Sequence, residues 1–564
     1  MPASPNNVSP QVKAQSARPA REDGKLPSAD KLTIGALLVS TFVMILNETL
    51  MNVALQPLMV EFQVTEPTIQ WLTTAFMLTL ATVIPITGFL MQRYSLRAVF
   101  TAAMGLFILG TALAAAAPGF EVLLAGRVVQ ASGTAIMLPL MMTTVLTLVP
   151  LHRRGVVMGN ISIVISVAPA TGPALSGLIL HLADWRWLFL MILPIAVIAL
   201  FLGRPRLNKD PGTVGKRLSI PSLLLAVPGF GGVVYGISQI GGGHGTQEVS
   251  ADAAPGVDPV AIAVLIIGVL CLIGFGLLQV KLQKTDSALL NLKPFAFTMY
   301  TRALGMMLLM MIALFGALIL LPLFLQTIRG LDTLQTGLIM LPGGLLMALM
   351  APFVGRLYDR VGPKPLVIPG ASILIIALFC MSLLSPTTPV GMVLGLHLLL
   401  SSGLALLFTP AFTTALNPLP KALYSHGTAA LNTLQQLAAA IGTAALVAAV
   451  GLGTAAAVNS GMNPEDAAVE GFRVAFRLAA ALSIGTLILA TTLRATPAAD
   501  PAADPAAEAD AEAEVTASVS GGTTPAAADA DGNGSAQTNS EAVVPEAADT
   551  DVEDRAQAGS STSS

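Results

Sequence analysis

Gly355-Arg-Leu-Tyr-Asp359-Arg360-Val-Gly362-Pro-Lys364 is a charged turn set between two long apolar runs, and a fainter copy, Gly88-Phe-Leu-Met-Gln92-Arg93, holds the same setting earlier in the chain. Other pairs share the spacing. Ser132-Gly133, Pro139 and Thr143-Thr144 recur as Ser402-Gly403, Pro410 and Thr413-Thr414, and Gly155 leads Asn160 as Gly427 leads Asn432. Each match alone is weak. A common offset of roughly 270 residues, kept in the same order, is the mark of an internal repeat. Two homologous six-helix halves follow, with a pair of spans inserted between them.

Composition says what surrounds these halves. The 564 residues are 54% hydrophobic and only 11% charged, with mean hydropathy +0.75. A soluble globule carries about 25% charged residues, so most of this chain's outer surface faces something other than water. The apolar residues fall into runs at 32–57, 68–91, 97–117, 121–149, 155–181, 185–203, 218–240, 259–280, 297–326, 333–357, 365–385, 389–417, 427–454 and 470–494. Most are long enough to cross about 30 Å of hydrocarbon as helices. The alternating segments of about 10 residues that a transmembrane barrel needs are absent. Cys271 and Cys380 lie inside apolar runs, which suggests neither a disulfide framework nor a metal site.

Loop charges orient the spans. Arg93, Arg97, Arg153, Arg154, Arg204, Arg206, Lys281, Lys284, Lys293, Arg360, Lys364 and Lys421 fall in loops of one side, together with the basic N-terminal segment. Glu61, Glu66, Asp252, Asp258, Glu465 and Asp466 fall on the other. Both termini are therefore expected in the cytoplasm of a multi-pass protein of the bacterial plasma membrane. The organisation reads as a cytoplasmic segment 1–31, a bundle 32–203, a linker with two extra spans 204–296, a second bundle 297–494 and an acidic tail 495–564. That tail holds 14 acids and a single base, Arg555, with no apolar periodicity, and so reads as disordered.

The residues now resemble a known family. Gly355 to Lys364 is similar to the G-x-L-x-D-R-x-G-x-K loop of the major facilitator superfamily. Leu123-Leu-Ala-Gly-Arg127-Val-Val-Gln130-Ala-Ser-Gly133 resembles its fourth-helix arginine motif, and Ala168-Pro-Ala-Thr-Gly172-Pro173-Ala-Leu-Ser-Gly177 its fifth-helix antiporter motif. Asp184-Trp-Arg-Trp187, opening the sixth span, is also similar to the family. The fourteen-span count and Leu46-Asn-Glu48-Thr-Leu-Met-Asn52-Val-Ala-Leu55 resemble the drug:proton antiporter branch, near lincosamide-type exporters. The resemblance covers about residues 30 to 495 and implies an all-α integral membrane fold of two pseudo-symmetric six-helix bundles plus two inserted helices. Two positions depart from it. Gln92 stands where the first basic loop usually has aspartate, and Asn47 takes the place of the first-helix acid, with Glu48 one residue on.

Candidate roles follow, each beside a blander reading. Glu48 is the only carboxylate well inside a predicted span, where an unpaired charge costs several kcal/mol. Arg127 lies at matching depth in the fourth span, so the two are read as a proton-coupling pair or as a fixed ion pair that orients helices. His397, at the repeat position of Arg127, is a proton shuttle or a satisfied polar side chain in a helix contact. Asn52 and Gln130 line the same cavity or make packing hydrogen bonds. Gly172, Pro173 and Gly177 allow close approach and bend the fifth span, or simply pack. Gly88, Arg93, Gly355, Asp359 and Arg360, with Arg356, gate the cytoplasmic side through contacts between helices, besides signalling topology.

The expected function is proton-coupled antiport, exporting lipophilic or amphiphilic small molecules by alternating access. The alternative is export of an endogenous lipid, siderophore or metabolite. No G-x-x-x-x-G-K-[ST] phosphate loop appears, so ATP-driven pumping is not expected. Nor do clustered catalytic groups that would make an enzyme. The partners expected are the substrate, protons and membrane lipids, without cofactor or nucleic acid, for a protein acting as a monomer.

Overall fold

A computed structural model of the chain describes residues 28–150, 153–207, 219–242, 259–284 and 288–494. The expectations for the first 27 residues and for the acidic tail lie outside these. Every regular element among the described residues is helical. The first half comprises α1 (Ser28–Glu61), α2 (Glu66–Arg93), α3 (Leu96–Ala115), α4 (Phe120–Leu148), α5 (Arg154–Leu182), the short α6 (Trp187–Leu190) and α7 (Ile192–Gly203). Then come α8 (Ile220–Gly242) and α9 (Pro259–Gln283). The second half comprises α10 (Thr298–Thr327), α11 (Thr333–Val361), α12 (Lys364–Met381), α13 (Val390–Leu416), α14 (Tyr424–Asn459) and α15 (Pro464–Thr492).

Twelve helices among the described residues are long and apolar enough to cross a membrane. Two shorter apolar stretches, Arg154–Pro169 and Trp187–Gly203, fall where the fifth and sixth spans are expected, so a count of fourteen is reached only with them. The sixth is interrupted for a local reason. Pro194 has no N–H to give the carbonyl of Leu190, and the helix breaks there into α6 and α7.

Packing repeats between the halves as the sequence does. In the first, α5 lies on α1, and α4 on both α2 and α3; in the second, α14 lies on α10, and α13 on both α11 and α12. Gly133 and its repeat mate Gly403 show how. A Cβ on Gly133 would strike the carbonyl of Ala103 in α3, and one on Gly403 would come within 2.9 Å of the carbonyl of Gly370 in α12. Both permit backbone-to-backbone approach. The repeated charged turn has its own use of glycine: Gly362, at φ 76°, ends α11 in a left-handed conformation that a Cβ would strain.

The halves meet along two seams, α5 against α11 and α2 against α14. The inserted pair is placed at one of them. α8 packs on α9, α2 and α14, and Phe89, Phe230, Val234, Phe275, Ala429 and Leu437 share one apolar cluster there. α9 is the most peripheral helix, with mean hydropathy 3.0 and only 17% of its apolar window buried. Ile266, Ile267, Leu270 and Leu277 are exposed on it, as lipid-facing side chains should be.

Candidate functional site

The turn of α1 that carries Glu48 is held by α5. Thr49 Oγ1 donates to its own helix at the carbonyl of Leu46 (2.9 Å) and contacts the carbonyl of Ala168 in α5 at 3.3 Å. Ser176 Oγ of α5 donates to the carbonyl of Leu50 at 2.9 Å. Gly172 makes this approach possible, because a Cβ there would strike Thr49 Oγ1. Glu48 itself is half-buried.

Arg127, only 1% exposed, sits in a different set of contacts from the one expected. Its Nη1 donates to Gln130 Oε1 at 2.7 Å and to Asn47 Oδ1 at 3.2 Å, and its guanidinium lies 4.1 Å from the centroid of the Phe76 ring. Gln130 Nε2 donates onward to Thr111 Oγ1 at 2.8 Å, which donates to the carbonyl of Phe107. The charge is thus held by two amide oxygens and an aromatic face, the latter worth about 2 kcal/mol when desolvated. No ion pair joins Glu48 to Arg127 within 4.0 Å among the described residues. The arrangement has a simple cause. Successive helical residues are turned by about 100°, so Asn47 faces Arg127 and its neighbour Glu48 is turned aside.

The second cluster lies where the basic loops are. Asp359, at the end of α11, accepts hydrogen bonds from the backbone N–H groups of Gly155 (2.8 Å) and Val156 (3.0 Å) in the first turn of α5. Arg153, at the N-cap of α5, supplies no side-chain cap, so a carboxylate from the other half caps this helix. Gly155 and Gly355 touch backbone to backbone, leaving no room for a Cβ on either. The α2/α14 seam is built from the repeat-equivalent positions but is chemically different. Gly88 lies against His426, and Gln92 Nε2 makes long contacts to the carbonyl of Ala422 (3.4 Å) and Ser425 Oγ (3.5 Å). Thr143 pairs with Thr428, and Ser162 with Thr409, both at 2.9 Å across the halves.

Residues 37–443 match the sequence model of the Major Facilitator Superfamily. The chain belongs to that superfamily. It is therefore a transporter rather than an enzyme. It is similar to the lincomycin resistance protein LmrB of Bacillus subtilis (strain 168), 39% identical over 434 residues that make up 77% of this chain and 88% of that one. The LmrB protein of Listeria monocytogenes is 38% identical, covering 77% and 89% of the two chains. Among solved structures, the human organic anion transporter MFSD10 (TETRAN) superposes with TM-score 0.57 at 16% identity, covering 82% of this chain and all of that one. The proton:xylose symporter XylE gives the same TM-score at 14% identity over 84% and 97%. These two likenesses concern the fold alone.

Within this facilitator the remaining expected residues separate. His397 is buried, and its Nε2 lies 3.1 Å from the carbonyl of Met340 in α11, packed so closely on Gly343 that a Cβ there would strike the ring. This geometry is that of a helix contact. Nothing lies within 4 Å of a Cβ placed on Gly177, so the close approach expected of it belongs to Gly172. Arg360 and Arg356 are exposed, Arg356 beside the ring of Phe353; of the charged side chains in the turn, that of Asp359 bonds to the other half. Arg93 lies beside the ring of Tyr94. The side chains of Asn52 and Pro173 lie outside the described residues. Sequence reasoning missed Asn47 as the contact of Arg127, missed Phe76, and counted Arg154 only as a topology signal. Asn47 alone had left a trace, as the residue in the acid's place.

Proposed function

We propose that this facilitator is a proton-coupled antiporter that exports lipophilic or amphiphilic small molecules by alternating access. In this reading it is a monomer in the plasma membrane with both termini in the cytoplasm. One observation carries the coupling: Glu48 is a half-buried carboxylate in a membrane span, next in sequence to the Asn47 that holds Arg127, and among the described residues no ion pair fixes it. A carboxylate fixed in an ion pair would be a poor proton carrier; one beside a cation that two amide oxygens already hold can exchange a proton while Arg127 stays in place. Two LmrB relatives named for lincomycin resistance support a drug-like cargo.

The cycle follows from the two clusters. Side-chain contacts between the halves gather at the basic-loop end, which in this orientation is the cytoplasmic one, so in this reading that end is the closed one. Glu48 takes a proton from the outer side as cargo leaves. Asp359 must then leave the α5 N-terminus for the inner end to open. The test is accumulation of a lipophilic dye and of lincomycin in cells expressing the protein. Lower accumulation than in cells carrying the empty vector, restored by a protonophore, supports the reading. Unchanged accumulation of every lipophilic compound tried sinks it.

A further inference from the structure

Arg154 has not entered the cycle so far, although it is only 4% exposed. As the first residue of α5 it is badly placed by the helix dipole, which disfavours a cation at an N-terminus. Its side chain resolves this by folding back onto the C-terminal end of α4, where Nε donates to the carbonyl of Val149 (3.2 Å) and Nη2 to that of Leu146 (2.7 Å). Those carbonyls are the negative end of α4, and a guanidinium suits them. The remaining donors cross to the other half. Nη1 donates to Oδ1 of Asn417, the C-cap of α13, at 3.1 Å, and Nη2 also reaches Tyr424 Oη, in the first residue of α14, at 2.9 Å. The Tyr424 ring lies 5.2 Å from the guanidinium. One side chain therefore joins the ends of four helices, two from each half.

We infer that Arg154 is the positioning residue that bolts the closed end: it is anchored permanently to α4 and reversibly to Asn417 and Tyr424, and its release from those two sets how readily that end opens. The partners' chemistry fits a contact made and broken in every cycle. All four are neutral oxygens, so opening exchanges them for water without separating an ion pair. Asp359 caps the two residues that follow Arg154, so two fastenings between the halves come from one turn of chain at the start of α5. The repeat mate of Arg154 is His426, set against Gly88. A histidine is too short to reach as a guanidinium does, and the reach of this bolt belongs to one seam.

The inference uses the alternating-access reading but none of its proton chemistry, and the test keeps them apart. Spin labels go on Ala98→Cys and Pro365→Cys, exposed residues near the first turns of α3 and α12, in a Cys271→Ser/Cys380→Ser background. Distances are measured by electron paramagnetic resonance on the purified full chain without cargo or gradient. Removing Arg154 itself risks the α4–α5 joint, so the variant is Asn417→Ala/Tyr424→Phe, which leaves the α4 anchor intact. The expected result is a rise of at least about tenfold in the ratio of long to short distances, a lower bound for the loss of two charge-assisted bonds. Arg154→Lys, which cannot span both halves, should shift it the same way. An unchanged distribution in both variants overturns the inference. A shifted distribution in a protein whose dye efflux ignores protonophores keeps the bolt and removes the proton reading.

Discussion

Asn47 is where one side chain decides the character of the coupling site. It supplies one of the two oxygens that hold the buried Arg127, and it does so as a neutral amide. Asn47→Ala leaves one donor of a buried cation unmet, and a stability loss of about 1–3 kcal/mol is expected, read as a lowered melting temperature of the purified protein. Asn47→Asp should keep the contact and turn it into an ion pair. The same melting experiment should then show no comparable loss, while the added counterion weakens the influence of Arg127 on Glu48. Gly172 and Gly177 make a second contrast at this scale. A Cβ on Gly172 meets Thr49 and one on Gly177 meets nothing. Gly172→Ala should therefore cost about 1–3 kcal/mol of overpacking in the α1–α5 contact and slow dye efflux, whereas Gly177→Ala should transport at the wild-type rate. The motif alone cannot tell these glycines apart. Five residues of helix turn by a net angle of about 140°, so one faces α1 and the other does not.

At the scale of helices, the two seams are copies with one consequential change. Asp359 places a full negative charge on the first turn of α5, a contact worth about 0.5–2 kcal/mol. Gln92, its repeat mate, offers α14 only an amide. Asp359→Asn should raise the reactivity of a cysteine introduced at the buried interface position Ser162 towards a small maleimide, because the seam opens more often. Gln92→Asp should lower it by giving α14 the cap that α5 has. If both substitutions leave the labelling rate unchanged, the carboxylate does not hold the seam. Much of this was legible in advance. The repeated turn, the positions of most spans and the departure at Gln92 all stood in the sequence, because periodicity and motif spacing are local properties. Arg154 was not legible. A basic residue before a span reads as a topology signal, and its burial depends on helix ends contributed by residues about as distant in sequence as the repeat itself.

The molecule as a whole is two bundles whose side-chain contacts gather at one end, with an acid inside a span of the first that no cation pairs with among the described residues. The fold class was readable because apolar length, loop charge and internal repetition are each set by the bilayer. The ring of Phe76 over Arg127 was not, since no spacing rule links α2 to α4. The central claim is that Glu48 links proton flow to cargo movement. It is tested most directly in proteoliposomes with an imposed pH gradient, comparing wild type with Glu48→Gln. The account predicts that wild type accumulates a lipophilic cargo against its concentration gradient, and that Glu48→Gln loses this accumulation while still letting cargo equilibrate. Full gradient-driven accumulation by Glu48→Gln would contradict it.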